Sequence, residues 1–593
     1  MGLVTHADAM DHARRNNTMN RTHHNGVLRI ENVGEIVELK GWVSKKRNLG
    51  GLIFIDLRDK TGITQLVVRP DNQNYEIAES LKNEYVIYVK GTVLERESKN
   101  KDLKTGEIEI DVLDLEILNT AKQPPIIIAD KTDALEDTRL KYRYLDLRRP
   151  IMQNYLIMKS KITNAIREYL VSQEFLELET PILAKSTPEG ARDFLVPSRL
   201  YEGEFYALPQ SPQIFKQLYM ISGLERYFQI AKCFRDEDLR ADRQLEFNQI
   251  DIETSFLTDR EIQEIIEGMF KYLFKKVLNV ELETPFTRLT YNEAMNTYGS
   301  DKPDLRFDMK LIDVKELFNT VPFMYENEAV KAIVANNATG YTRKQLDEFT
   351  RIMKVNHAKG LAYLKYENNE ITGSFVKFLD DAKKEEVIKT LNLKDKDMVF
   401  VISDKLNITN AALGALRKLI AKDQNLCNPD VFKFLWVTDF PIFEYNSDLG
   451  KYEFTTNPFS SPKKECIPLL ETEPENCYAD AYDVVLNGYE LGSGSLRIYN
   501  QDLQARIFKC IGLSEEEAKD RFGFFIEALK YGTPPHGGIG LGLERIVMCM
   551  TKTDNIRDVI AFPKTLSARD LMCDSPSTVD DIQLKDVHIK IEK

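Results

Sequence analysis

The chain has 593 residues, 43% of them hydrophobic, and a formal charge of −13. Such a length carries a prior of about four domains with real cores, and a net negative charge excludes nucleic-acid binding by bulk attraction, so any RNA contact must come from local basic patches. No run approaches the ~20 apolar residues that span a bilayer, and seven cysteines without a CxxC pair argue against a disulfide framework or a zinc site.

Residues 1–18 precede Met19, are polar and lack an apolar signal core. They read as an upstream start or an expression remnant, and residues 1–26 as a disordered extension. From about 27 to 119, short alternating runs separated by turn signals predict a small β-barrel. Inside it the basic loop Lys45, Lys46, Arg47 precedes a strand where Phe54 shares a face with Leu52 and Asp56, opposite Ile53, Ile55 and Leu57. Phe54 either packs in the barrel or is exposed. Exposed beside a basic loop, it would stack single-stranded bases.

Farther along, FLELETPIL closes an alternating strand at Pro181, by itself an ordinary terminator. TPEGARDF sets Glu189, Arg192 and Asp193 in a loop with the look of a lid. In QSPQIFKQ, a helix starting after Pro212 would make Gln213 and Lys216 neighbours on one face. The runs RYFQIAKC and EFNQIDIETSF then predict two antiparallel strands joined by the charged loop FRDEDLRADRQLEF, residues 234–247. Tyr227, Gln229, Arg235 and Glu237 share one parity, and Phe247, Gln249, Asp251 and Glu253 fall together on the return strand. One face is therefore a row of charge with an aromatic, which suits a nucleotide and a carboxylate together. Arg235 can fork onto a phosphate or carboxylate, Glu237 can accept from an exocyclic amine, and Phe247 offers a purine a stacking surface. Cys233 reads as a small buried hydrophobe.

From roughly 287 to 423 this chemistry stops. Helical YTRKQLDEFTRIMKV alternates with short strands such as GLAYLKY, after the segment DKPDLRF at 301–307. No catalytic constellation is visible there, and a structural or RNA-facing role is expected. TTNPFSSP carries Thr456 and Asn457. YELGSGSLRI carries Glu490 and Arg497 around a glycine-rich bend, with Ser495 and Arg497 on one parity. In GTPPHGGIGLGLERIVM the glycines at 537, 538, 540 and 542 remove side chains where a backbone must approach a ligand. The apolar run after Glu544 and Arg545 predicts a buried helix.

Taken in order, from about 27 to 577, these segments resemble the class II aminoacyl-tRNA synthetases: motif 1 at Pro181, motif 2 in the charged hairpin, motif 3 at the glycines and Arg545. The resemblance implies an α+β protein with an N-terminal OB-fold β-barrel (27–121), a hinge (122–140) and an antiparallel-sheet catalytic core with helices (141–287 and 424–577). A bacterial-type α/β insertion domain (288–423) would interrupt that core, and a tail (578–593) would end the chain. The implied activity is that of the aspartate-specific members, in the cytoplasm and without a membrane partner. ATP and Mg²⁺ would convert L-aspartate to aspartyl-adenylate, which is transferred to the 3' end of tRNA-Asp; tRNA-Asn stays open as a second acceptor. Pro181 would lie in a homodimer interface.

By the same resemblance Arg235 and Arg545 are catalytic. Lys216 and Arg497 would hold the aspartate side chain, Arg235 its α-carboxylate, and Asp251 with Gln213 its ammonium, while Glu189, Ser211, Thr456 and Asn457 border the pocket. Arg235, Asp236, Glu237, Gln244, Phe247, Glu490, Gly542, Leu543, Glu544 and Arg545 would bind ATP. Asp483 and Glu490 are the candidate Mg²⁺ ligands, because a hard cation bridging phosphates takes one or two carboxylates. Arg47, Phe54 and Gln65 match anticodon-contacting positions.

Charge counting agrees with aspartate. A diacid with one ammonium needs at least two cationic groups and one anionic one, and asparagine would leave a buried Lys216–Arg497 pair without a counter-charge, at roughly 2–5 kcal/mol. One departure stands out: Thr456 and Asn457 occupy positions where many bacterial relatives carry adjacent histidines, and no histidine occurs between His357 and His536. Neutral groups there are expected to loosen discrimination against asparagine or to make aspartate binding less sensitive to mild acid. Glu544, for the usual aspartate, and Leu245 are conservative changes. Two alternatives remain open. A class II-like aspartate-activating amide-forming enzyme would need no anticodon-reading barrel, and a non-catalytic RNA-binding paralogue would not need Arg235, Glu237 and Arg545.

Overall fold

A computed structural model describes residues 21–187, 191–446, 450–455 and 457–592. Glu189 and Thr456 lie outside the described residues, as does the extension through residue 20. The chain divides into two compact units, one running through Ile157 and including Arg557–Ser577, the other Met158–Ile556 with Thr578 onward. Among the described residues no helix is long and apolar enough to cross a membrane.

In the first unit β1 (Ile36–Leu49), β2 (Leu52–Asp59), β3 (Gly62–Val68), β4 (Val86–Glu95) and β5 (Ile108–Asn119) close into a barrel in the order β1-β2-β3-β5-β4. Alternation builds its core: Val37, Leu39, Val43, Ile53, Ile55, Leu57 and Leu66 are buried. A bulge in β1 between Val43 and Lys45 reverses parity. Odd-numbered residues up to Val43 face the core, whereas Lys45 and Arg47 lie outward, opposite Asp56 and Phe54. The expected disorder does not extend to residues 21–26. Asn25 and Gly26 are buried in a short turn, their amides donating to Asp59 and Thr61.

The unit boundary also differs from the expected hinge, and the physical reason is a knot of charge. Asp146, fully buried, accepts from Arg139, Arg143 and Arg149. Arg143 donates in turn to the carbonyls of Arg557, Ile560 and Ala561. These charge-assisted bonds fasten residues 557–561, expected in the catalytic core, to the first unit.

The second unit is built on an eight-stranded sheet. After β6 (Leu176–Glu177) comes a small hairpin, β7 (Phe194–Pro197) and β8 (Phe205–Leu208), then β9 (Arg226–Phe234), β10 (Glu246–Ser255) and β11 (Thr287–Thr290). The insertion holds β12 (Ile312–Asp313), β13 (Ala329–Ala335), β14 (Ala362–Glu367), β15 (Glu370–Gly373) and β16 (Asp397–Asp404). The chain returns through β17 (Phe434–Thr438), a hairpin of β18 (Phe443–Asn446) and β19 (Lys451–Phe454), then β20 (Ala481–Leu486), β21 (Tyr489–Leu496) and β22 (His536–Gly542). The large sheet has the order β11-β17-β20-β21-β22-β10-β9-β6, antiparallel except for β6 with β9 and β11 with β17.

The insertion forms its own antiparallel sheet, β12-β13-β16-β14-β15, with cores on both faces. Ile333 and Phe400 enter one core, Val330 and Val399 the other. That is why β13 and β16 read as continuous apolar runs rather than alternating ones.

Candidate active site

The charged hairpin is β9 paired with β10, Tyr227 facing Glu253, Gln229 facing Asp251 and Cys233 facing Phe247. Phe247, Gln249, Asp251 and Glu253 therefore form a row, spaced about 7 Å apart along the strand. At one end the Arg235 guanidinium stands 5.1 Å from the centre of the Phe247 ring, and among the described residues no carboxylate pairs with it. The other end is a buried network. Lys216, one turn from Gln213 on the helix Gln213–Ile221, lies 2.9 Å from Asp251 Oδ1 and 3.3 Å from Glu253 Oε2. Arg497 forks onto Glu253 at 2.9 and 3.2 Å and donates to Ser495 Oγ at 2.7 Å.

The two carboxylates of that network differ. Burial opposes ionisation of Glu253, but Arg497 and Lys216 outweigh it and hold the carboxyl below its ordinary range. At Asp251 burial wins against Lys216, and the carboxyl is raised. Glu253 has two cations through three contacts. Asp251 has Lys216 alone at hydrogen-bond distance, and its Oδ2 is left without a hydrogen-bond partner, as is the buried Nε2 of Gln213. An open acceptor and an open donor, both buried, are costly unless a ligand completes them.

Beside Phe247 opens a cleft of about 520 Å³ whose lining includes Arg235, Glu237, Gln244, Lys302, Lys418, Glu490, Gly542 and Arg545. Glu237 accepts from Arg243 at 2.8 Å. Arg545 donates to the Glu490 carbonyl at 2.9 Å and to Asp242 at 3.3 Å. Glu490 reaches the cleft through a bulge: Val484 pairs with Gly492 but Val485 with Glu490. The extra residue, Leu491, turns Glu490 onto the face of Asp483 and Ser493. Asp483 is pushed well above the usual carboxylate range by burial and then by Glu490. A divalent cation would relieve that repulsion, and two carboxylates suit one whose remaining ligands are phosphate oxygens and water. Among the described residues no cluster of three or more metal-ligating side chains occurs.

The expected glycine-rich bend is instead the continuous strand β21, and on the neighbouring strand β22 Gly538 and Gly540 serve the protein's own packing. A Cβ on Gly538 would come within 2.2 Å of Glu253 Oε2, and one on Gly540 within 1.9 Å of Gln249 Nε2. They clear space for the row on β10, and Gly540 also lines the cleft beside Phe247.

Residues 135–566 match the family described as tRNA synthetases class II (D, K and N), and residues 37–118 match the OB-fold nucleic acid binding domain. The chain is a class II tRNA synthetase. Proteins named aspartate–tRNA(Asp/Asn) ligase from Bacillus cytotoxicus and Bacillus cereus are 52% identical to it over 582 residues, which is 96% of this chain and 99% and 98% of theirs. Solved structures share the fold. Asparaginyl-tRNA synthetase from Pyrococcus horikoshii, complexed with asparaginyl-adenylate, gives a TM-score of 0.58 at 21% identity, over 90% of this chain and 96% of that one. Aspartyl-tRNA synthetase from Entamoeba histolytica gives 0.55 at 20%, over 90% and 89%.

Within this synthetase Arg235, Glu237, Gln244, Phe247, Glu490, Gly542 and Arg545 gather at the cleft, and Gln213, Lys216, Asp251 and Arg497 in or beside the buried network. Others lie elsewhere. Asp236 turns toward Arg192, at 3.4 Å, and Leu543 is buried; neither lines the cleft. Glu544 borders it, but its carboxylate accepts from Asn248 and pairs with Lys159 at 2.7 Å. It fastens the helix Leu543–Thr551 to β10. Ser211 lines a separate small pocket with Asp193 and Ile214, and Asn457 Oδ1 accepts from the Phe459 amide in a local turn. Pro181 is exposed after β6, near exposed Leu176, Ile182 and Leu183. On the barrel, Phe54 lies on the outer face opposite Arg47, which donates to Asp56 at 2.7 Å and to Gln65 at 3.3 Å. Arg47 Nε and Arg96 Nε are buried there without hydrogen-bond partners among the described residues, though Arg96 Nε lies 4.0 Å from Glu109 Oε2.

Three groups escaped the sequence reading. Glu253 was visible in the row but had no role. It supplies the counter-charge that the Lys216–Arg497 pair seemed to lack, so rejection of asparagine cannot rest on an uncompensated pair. Arg235, Lys216 and Arg497 against Asp251 and Glu253 leave one net positive charge, which complements the single net negative charge of aspartate. His536, remote in sequence, stands behind this network with its Nε2 3.1 Å from Gln217 Oε1 and its carbonyl accepting from the Arg497 amide. Lys302 and Lys418 come from the insertion, where no site was expected.

Proposed function

We propose that the chain is an aspartate–tRNA ligase that activates L-aspartate with ATP and charges tRNA-Asp. The observation that carries this is the row on β10, where Arg235, paired with no carboxylate among the described residues, and a charge-balanced buried network together carry one net positive charge around an open Asp251 Oδ2 and Gln213 Nε2. Asp251 would take the ammonium, the Lys216–Arg497 end the side-chain carboxylate, and Arg235 the α-carboxylate. In the first step that carboxylate attacks the ATP α-phosphate, a P–O bond forms and pyrophosphate leaves. In the second a terminal ribose hydroxyl of tRNA attacks the anhydride carbonyl and AMP leaves. Positioning and charge stabilisation suffice, without a protein nucleophile. Arg235 steadies the α-phosphate, Phe247 and Glu237 hold the adenine, and Arg545 the distal phosphates. Asp483 and Glu490 would hold Mg²⁺, which would supply positive charge to offset that of the phosphates.

Arg235→Ala should abolish ATP–pyrophosphate exchange while leaving the melting temperature unchanged, since no ion pair is lost; near-normal exchange would overturn the assignment. The outer face of the barrel, with Phe54, Arg47 and Gln65, suits anticodon bases. The names of the Bacillus relatives support tRNA-Asn as a second acceptor, which charging each purified tRNA separately decides. The exposed apolar residues around Pro181 fit coverage by a second copy of the chain, and equilibrium sedimentation would read a dimer. A cytoplasmic place of action goes with this reading.

A further inference from the structure

The insertion brings two lysines to the nucleotide cleft on a rigid platform. Lys418 lies on the helix Leu406–Asp423, and Lys302 belongs to the segment DKPDLRF; both line the cleft with Glu490 and Arg545. The neighbour of Lys418, Arg417, is buried and fixes their relation. It donates to the carbonyls of Met309, Asp304 and Phe307 at 2.7, 2.8 and 3.0 Å. Gly414 tightens the same contact, for a Cβ there would meet the Gly299 carbonyl at 2.1 Å. Lys302 stands 3.4 Å from Glu490 Oε2 and 3.6 Å from Asp301 Oδ2. Lys418 has neither hydrogen bond nor ion pair among the described residues, and it lies close enough to Lys302 to feel its charge. Burial first and Lys302 among the other causes push the Lys418 ammonium down from its ordinary value.

Asp301 and Asp304 offset this only in part, so a cation without an ion pair held beside a second one at the end of a nucleotide cleft would gain from a further anion. Arg235 and Phe247 mark the end of the cleft assigned to the α-phosphate and adenine. Lys302 and Lys418 sit with Arg545 at Glu490, the end assigned to the distal phosphates. We propose that Lys302 and Lys418 bind the β- and γ-phosphates of ATP and then the departing pyrophosphate, so that the insertion contributes directly to the activation step. This rests on the ligase reading above. Lysine suits the role, because a compact charge on a flexible stem can follow a phosphate that moves as it leaves.

The test is binding of ATP, AMP and inorganic pyrophosphate to the full-length enzyme by calorimetry. Lys418→Met should weaken ATP and pyrophosphate by about tenfold to a hundredfold, the loss of one charge-assisted contact. AMP, which lacks the distal phosphates, should change by less than about twofold. Lys418→Arg should retain most of the affinity, and Lys302→Gln should repeat the pattern with intact folding. Wild-type binding with an unchanged Lys418→Met, or equal losses for ATP and AMP, would overturn this inference alone. A wild-type enzyme that fails to bind ATP would overturn the ligase reading and this inference with it.

Discussion

Glu253 sets what the two buried cations can do. Lys216 and Arg497 each touch it, so they are held in one geometry before substrate arrives, and their charge is partly spent. On the proposed reading, selection of aspartate would depend on net charge and on two open polar atoms, not on a naked cationic pocket. His536 bears on the same network from behind. Burial first, against the pull of Glu253, pushes its imidazole below the ordinary value. The folded protein then keeps His536 neutral where the unfolded chain, with a pKa near ~6.5, takes up a proton. The unfolded state binds more protons below about pH 6.5, so the stability linked to this residue is present above that pH and is lost as pH falls, by up to about 1.4 kcal/mol per unit. His536→Gln should flatten the fall in urea midpoint between pH 7 and 5.5, and equal slopes in both proteins would show that His536 protonates when folded. Any change in the aspartate KM over the same range should come from Asp251, whose carboxyl is raised by burial, rather than from a histidine.

At the level of strands, alternation made much of the site legible. The parity of Phe247, Gln249, Asp251 and Glu253 was readable from residue types alone, and β9 and β10 pair as that pattern requires. What alternation could not supply were the bulges. Arg47 and Glu490 both reach their faces because an extra residue, Ser44 or Leu491, breaks register against a partner strand, and that depends on long-range pairing. The glycines of β22 were conspicuous, and Gly540 and Gly542 line the cleft, but the tighter constraint on Gly538 and Gly540 was hidden for the same reason. Their need arises from side chains on β10, which no local pattern reveals. Gly538→Ala should lower stability by about 1–3 kcal/mol through overpacking against Glu253 and raise the aspartate KM. Gly542→Ala, whose Cβ would meet nothing nearer than 3.7 Å, should do neither. Matching denaturation midpoints for the two variants would refute the packing role assigned to Gly538.

Over the whole chain, the proposed reading assigns recognition and activation to different compact units. The barrel that would read the anticodon lies in the unit through Ile157, and the row on β10 in the other. The two tasks are therefore separable by substitution. Phe54 lies on the outer face between core-facing Ile53 and Ile55, so truncating it removes no core packing. Arg47 beside it is already steered by Asp56 and Gln65, which leaves the ring free to act as a stacking surface. Phe54→Ala should remove about 1–3 kcal/mol of base stacking, raising the KM for tRNA by roughly fivefold to a hundredfold. ATP–pyrophosphate exchange measured without tRNA should remain at the wild-type rate. A variant that lost exchange, or one that charged tRNA with an unaltered KM, would mean that Phe54 is a packing residue of the barrel and that another part of its surface reads the RNA.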